Sequence, residues 1–251
     1  MDFKDNFSKH SSIYSKYRPN YPIEMFEYLI SLTKEHNLAW DCGTGNGQSA
    51  LSLANYFDLV YASDPSEQQI KNAKPHKKII YKIEKAEKSE LKDHSVDLIT
   101  ISQALHWFDF EAFYKEANRV LKETGIIAAW TYGLPKISIE IDKIVQFYHD
   151  TILGDYWPKE HKLVTNEYTT IPFPFEEIPS PDFKIQKSLS LNQLKGLLKS
   201  WSATQRYIEK NGTNPIEKIE ADLTKLWGNR DLKVSNWKII LRAGRPFASN
   251  A

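Results

Sequence analysis

Apolar residues along the chain fall into two kinds of pattern. Five short runs, at residues 38–42, 59–63, 79–83, 96–102 and 126–132, are almost continuously apolar, as strands buried on both faces are. Between them, at 48–55, 67–74 and 110–121, apolar residues recur at helical spacing. Strand and helix in alternation predict right-handed crossovers and a parallel sheet covered on both sides. Such sheets hold ligands beyond the carboxyl ends of their strands. A further helix is predicted over 22–35, where Met25, Phe26, Leu29, Ile30 and Thr33 share one face and Pro22 stands in the first turn.

The pattern changes after Tyr132. A helical stretch at 137–153 is followed by an irregular one that carries Pro158, Pro172, Pro174, Pro179 and Pro181. Two more strand candidates, 183–189 and 234–243, bracket helices at 191–207 and 215–227 and are expected to pair at the sheet edge. The reading is an α/β fold with an open, mostly parallel, seven-stranded sheet, helices on both faces and a helical or irregular cap. Residues 1–21 form a lid, 22–132 the ligand-binding core, 133–182 a cap insertion, and 183–251 complete the sheet and cap.

Charge and composition narrow the partners. Among 251 residues, 33 basic and 32 acidic side chains leave a net charge of +1, so no field of one sign draws in nucleic acid or anionic lipid. The longest apolar runs, such as 126–130, fall far short of the roughly 20 residues that span a bilayer. The charged opening Met1-Asp2-Phe3-Lys4-Asp5 has no apolar stretch behind it and reads as no secretory signal. Cys42 is the single cysteine, and neither a disulfide nor a metal site is expected. The expectation is a cytoplasmic monomer or homodimer with a small-molecule substrate. Four of the seven tryptophans, Trp157, Trp201, Trp227 and Trp237, follow residue 150, which suits either a well-filled core or an aromatic-walled pocket.

The most informative stretch is Asp41-Cys42-Gly43-Thr44-Gly45-Asn46-Gly47-Gln48. A strand runs into three alternate glycines and then a helix, which brings bare backbone close to a ligand at a helix N-terminus. A dinucleotide fingerprint needs a sixth-position glycine, and Gln48 stands there. Asp41, at the strand end, would repel a pyrophosphate but not a cationic ligand. Asp64, closing the next strand, is placed to accept hydrogen bonds from both hydroxyls of a ribose.

These residues, with Asp64-Pro65-Ser66, Ala86-Glu87, Ser95-Val96-Asp97-Leu98, Arg119-Val120-Leu121-Lys122 and Gly125, resemble the successive motifs of class I S-adenosylmethionine-dependent methyltransferases. Three further segments, Tyr17-Arg18-Pro19-Asn20-Tyr21-Pro22, Ala104-Leu105-His106-Trp107-Phe108 and Lys199-Ser200-Trp201-Ser202-Ala203 with Arg206-Tyr207, are similar to the branch that includes trans-aconitate methyltransferases. The resemblance implies a Rossmann-like sheet with S-adenosyl-L-methionine as cofactor. Gly43, Thr44 and Gly45 would pass under its methionine portion, Asp64 would hold its ribose, Ala86 and Glu87 would border its adenine, and Gln103 would face its methionine end. Tyr14, Arg18, Asp41 and Pro65 complete the cofactor set. Asp97 matches a motif but is read as the start of the fourth strand, outside the site.

Methyl transfer from a sulfonium gains mainly from holding donor and acceptor aligned in a dry pocket, so no general base is obligatory. A carboxylate acceptor would be oriented by Arg18, His106 and Arg206. A hydroxyl or amine would instead lose a proton, with His106 as the base. His106 is the catalytic candidate, against the plainer reading of a structural histidine. Trp107, Tyr168, Trp201 and Arg206 are the substrate-binding candidates, against core packing for Trp201 and a surface ion pair for Arg206. The other histidines, His149 and His161 among them, read as surface. The expected activity is methylation of a small molecule, with carboxyl O-methylation of a small organic acid as its finest form. The alternative is a cofactor sensor or non-catalytic partner module on the same fold; a nicotinamide oxidoreductase is disfavoured by Gln48 and Asp41.

Overall fold

The computed structural model describes residues 19–247, so the candidates Tyr14 and Arg18 and nearly all of the lid lie outside the described residues. Helix α1 (Ile23–Leu32) leads into β1 (Leu38–Cys42), α2 (Gln48–Leu53), β2 (Leu59–Asp64), α3 (Glu67–Lys71), β3 (Ile79–Ile83), β4 (Val96–Ser102), α4 (Phe110–Val120) and β5 (Leu121–Tyr132). There follow α5 (Ile139–Phe147), α6 (His161–Thr165), β6 (Glu176–Ile178), β7 (Phe183–Leu189), α7 (Leu191–Lys199), α8 (Ser202–Asn211), α9 (Glu220–Trp227) and β8 (Lys233–Arg245). Strands run in the order β3-β2-β1-β4-β5-β8, parallel as far as β5, with β8 antiparallel to β5 and both β6 and β7 antiparallel along its outer side.

The sheet therefore has eight strands, not seven. Its outermost strand is cut in two between Ile178 and Phe183, where Pro179 and Pro181 have no N–H to give to the ladder. The expected pairing of 183–189 with 234–243 is present, in register from Phe183 opposite Ile239 to Leu189 opposite Lys233.

Alternation along the strands sorts side chains into two cores. Leu98, Ile126, Ala128 and Trp130 face one side, where Met25, Phe26 and Leu29 of α1 and Leu194, Leu197 and Leu223 of the C-terminal helices pack. Ile99, Ile101, Ile127 and Ala129 face the other, against Phe113, Ala117 and Val120 of α4. Asp97 sits at the start of β4 as expected: its Oδ2 accepts the backbone N–H groups of Asn37 and Leu38, and its Oδ1 the Lys122 ammonium. That fastens the entry of β1 to its neighbour.

Two expected helices break where the cap is built. The 191–207 stretch divides at Ser200 and Trp201, where the hydroxyls of Ser200 and Thr204 donate to the carbonyls of Leu197 and Leu198 at the end of the first helix. The 137–153 stretch is α-helical to Phe147 and then widens into a π turn over Tyr148–Ile152. Such turns recur at functional sites because they re-aim side chains out of the helical repeat.

Candidate functional site

The glycine loop is built almost wholly from main chain. Ser63 O accepts the N–H groups of both Gly43 and Thr44 at 2.9 Å, so the loop hangs from the end of β2. Gly43 has φ +69°, and a Cβ there would lie 2.6 Å from Ala104 Cβ. Only a bare Cα lets the segment after β4 come this close. Gly45, at φ +56°, has no heavy atom of the described residues within 4 Å of where its Cβ would be.

Two carboxylates brace this loop. Asp64 Oδ2 accepts Gly45 N–H at 2.9 Å and its Oδ1 accepts Ser66 N–H at 2.8 Å. Pro65 turns the chain from Asp64 to Ser66, whose hydroxyl caps α3. Asp41 is fully buried beneath the loop, accepting the hydroxyls of Thr44 and Thr100. Burial pushes its carboxyl up to about 6 against the pull of those two hydroxyls. Cys42 is buried beside it, as read from the sequence, and its thiol is driven well above the usual range by burial.

Ala86 is buried in the α4-side core, and Glu87 Oε1 accepts the N–H of Asp109, the cap of α4. Gln48, the residue that broke the dinucleotide pattern, donates its amide to Pro19 O and Asn20 Oδ1. It ties the helix after the loop to the segment that precedes α1. Tyr21, in the same segment, accepts the Ser102 hydroxyl at 2.6 Å and sets its ring edge-on to Trp130.

Gln103 is the hinge between loop and cap. It has a left-handed backbone at φ +55°, uncommon for any residue but glycine. Its N–H donates to Trp130 O and its Oε1 accepts the Thr131 hydroxyl, while its Nε2 is buried with no hydrogen-bond partner among the described residues. The amide left unsatisfied among the described residues sits on a left-handed backbone beside the glycine loop.

That residue also lines a cavity of about 480 Å³ between the carboxyl ends of β4 and β5 and the cap. Of the residues singled out in the sequence, His106, Trp107 and Trp201 line it as well. Tyr168 stands behind them, fully buried, with its hydroxyl 2.8 Å from His106 Nδ1. Arg206, on α8, is not among the described residues that line it. Burial, with a smaller push from His161, lowers the His106 imidazole to about 3, so it is uncharged at neutral pH.

The sequence missed half of this cavity. His149 and His161, read as surface, instead line it, and His149 is buried. The reason is the π turn, which rolls His149 inward, and the stacking of His161 on Trp157 at 3.8 Å between ring centres. Trp157, Trp201 and Trp237 form aromatic wall, so the late tryptophans were the available signal; Trp227 packs in the core instead. Lys136 and Lys238 add cationic rim, the latter 3.2 Å from Glu167.

A family model for a methyltransferase domain matches residues 40–129, the loop and the strands that carry it. A Saccharomyces cerevisiae protein assigned as an S-adenosylmethionine-dependent methyltransferase is 22% identical over 247 residues, with 84% of each chain covered. A Dictyostelium discoideum protein provisionally assigned as a methyltransferase is 36% identical over 233 residues, covering 91% of this chain and 89% of its own. A solved structure of a provisionally assigned type II methyltransferase from Anaeromyxobacter dehalogenans superposes with a TM-score of 0.85 at 36% identity, covering 91% of this chain and 97% of that one. Glycine loop, paired acids and near full-length likeness converge: the chain belongs to the class I S-adenosylmethionine-dependent methyltransferases.

Proposed function

We propose that this methyltransferase acts on a small molecule held in the cavity under the cap. The observation that carries the reading is Gln103. It abuts the glycine loop through Ala104, lines the cavity, and holds its orphaned amide at their junction. The residues present suit S-adenosylmethionine: bare backbone at Gly45, a ribose acceptor in Asp64 and a buried acid, Asp41, beneath the loop. When bound, it supplies an electrophilic methyl group. The protein's own part is to align the acceptor, with tryptophans shedding water from it and Gln103 donating its amide.

A cleft of this volume favours a ring-sized acceptor over a macromolecular one. The carboxylate acceptor expected from Arg18, His106 and Arg206 keeps less support, because His106 is uncharged and Arg206 lies off the cavity. Lys136 and Lys238 are what favours an acidic acceptor as a second reading. A cytoplasmic setting is supported by the single buried thiol.

Titration calorimetry with S-adenosylhomocysteine tests the donor half of the proposal. Asp64→Ala is expected to weaken binding on the order of 100-fold, since the variant removes a charge-assisted ribose acceptor and releases the Gly45 and Ser66 amides. Undiminished affinity would place the nucleoside elsewhere.

A further inference from the structure

The cavity holds a chain of three titratable side chains for which methyl transfer to a carboxylate has no use. Asp150 Oδ1 lies 2.6 Å from His149 Nδ1, and His149 Nε2 lies 2.9 Å from His161 Nε2. The chain has a direction. Asp150 is exposed, His149 is buried and His161 is half-buried at the cavity wall.

Each member is held in place. Gln146 donates to the second oxygen of Asp150 at 2.6 Å, and this bond together with the His149 contact keeps the carboxyl below its usual range, so it is ionised. Trp157 donates its indole N–H to His149 O and stacks on the His161 ring at an angle of 10°. Trp201 meets the His149 ring edge-on.

The hydrogen-bond pattern then dictates the protons. An ionised Asp150 accepts from His149 Nδ1–H. With His149 neutral, its Nε2 can only accept, so His161 donates from Nε2 and carries its lone pair on Nδ1. If the assembly gains one proton, it is shared between the two imidazoles and balanced by the Asp150 carboxylate. An imidazole backed by a second imidazole and a carboxylate is a general base with a route to solvent. His106 cannot serve as well, because burial makes its imidazole a far weaker base.

We propose that His161, positioned by His149 and Asp150, is the proton acceptor of this cavity, and that the substrate is a small aromatic or apolar ring compound whose methyl-accepting atom is a hydroxyl oxygen or amine nitrogen. This rests on the methyl-transfer reading above. As the acceptor's lone pair forms its bond to the methyl carbon, the carbon–sulfur bond breaks and its electrons stay on sulfur. The acceptor's O–H or N–H proton passes to His161 Nδ1, the charge spreads to His149 against Asp150, and Asp150 gives the proton up to water. A carboxylate has no proton to lose and would leave the relay idle. The ring class follows from the walls of Trp107, Trp157, Trp201 and Trp237. The other titratable groups lining the cavity among the described residues are His106 from the turn after β4, Tyr132 at the end of β5, Glu167 from the loop after α6, and Lys136 and Lys238.

The test measures transfer from tritiated S-adenosylmethionine to matched acceptors, phenols and anilines against benzoates, using the full chain and its variants. Phenols or anilines are expected to be methylated. His161→Asn should lower kcat about 100-fold or more with KM and S-adenosylhomocysteine affinity nearly unchanged. Asp150→Asn should move the acidic limb of the kcat profile to lower pH, because loss of the carboxylate weakens the imidazoles' hold on a proton, and Asp150→Glu should restore it. Preferential methylation of benzoates, or a limb that Asp150→Asn leaves in place, overturns the proposal. Imidazole nitrogen NMR decides without turnover. With S-adenosylhomocysteine bound, the two rings should titrate as a coupled pair and millimolar phenol should shift His161. Independent titrations, or an unmoved His161, overturn the proposal even if no acceptor reacts. Failure to bind S-adenosylhomocysteine at all would instead strike the underlying reading.

Discussion

The glycine loop and the cap cavity lie at the same end of the sheet and are made of different material. The loop is main chain: its shape comes from left-handed φ at Gly43 and Gly45 and from amides donated to Ser63 and Asp64. The cavity is side chain: indoles and imidazoles from the turn after β4, from the π turn and α6, from the α7–α8 break and from β8 converge on it. A site made of backbone constrains which residues can stand in a few adjacent positions. A site made of side chains asks only that the right groups arrive from somewhere. Ligand chemistry can therefore change on one side of Gln103 while the other side stays as it is.

The strongest way to break this contrast is to put a side chain where the loop has none. Gly43→Val adds a branched Cβ at φ +69° that would lie 2.6 Å from Ala104 Cβ, so the loop and the β4 segment must part. Calorimetry with S-adenosylhomocysteine is expected to show affinity reduced at least about 1000-fold, roughly 4 kcal/mol, while circular dichroism retains the α/β signal. Near-normal binding would mean that the close approach is incidental.

Asp41→Asn sharpens the same contrast by separating the loop's support from its ligand. The folded carboxyl sits at about 6, above its ordinary 3.8, so the native state binds the proton more tightly than the unfolded one. Stability is then highest below about pH 4 with respect to this group and falls as pH rises to about 6, by an amount on the order of 3 kcal/mol. Urea unfolding of wild type and Asp41→Asn between pH 4 and 7 should show the variant lacking this decline. Parallel curves would show that Asp41 is not the group responsible.

Tyr168→Phe is the mildest probe and belongs to the cap. It removes one buried hydroxyl from His106 and leaves the ring in place, so a loss of about 1 kcal/mol in unfolding free energy is expected, with S-adenosylhomocysteine affinity unchanged. A large fall in donor affinity would mean that cap and loop are more tightly coupled than their separate construction implies.

The same difference in material explains what could be read from the residues alone. The parallel core was legible because buried strands are continuously apolar, and the loop because three alternate glycines after a strand leave few other readings. Asp97, read as the start of the fourth strand, has its carboxylate spent on Asn37, Leu38 and Lys122. His149, Asp150 and His161 were not legible. Their meeting depends on a π turn and an indole stack, neither of which leaves a periodic trace. Gln103 could be placed at the strand end from its motif, but not its unsatisfied amide, which depends on Thr131 having claimed the other end of the same group.

The division of the outermost strand at Pro179 and Pro181 reaches beyond topology. The two pieces, of three and seven residues, present interrupted rows of main-chain donors and acceptors, and Lys184 and Lys187 stand along the longer one. A second sheet approaching that margin finds no uninterrupted ladder to extend and must desolvate ammonium groups to try. The rim of the molecule farthest from the glycine loop thus discourages indiscriminate strand-to-strand adhesion, and it leaves the long β8 behind it sheltered as an interior member of the sheet.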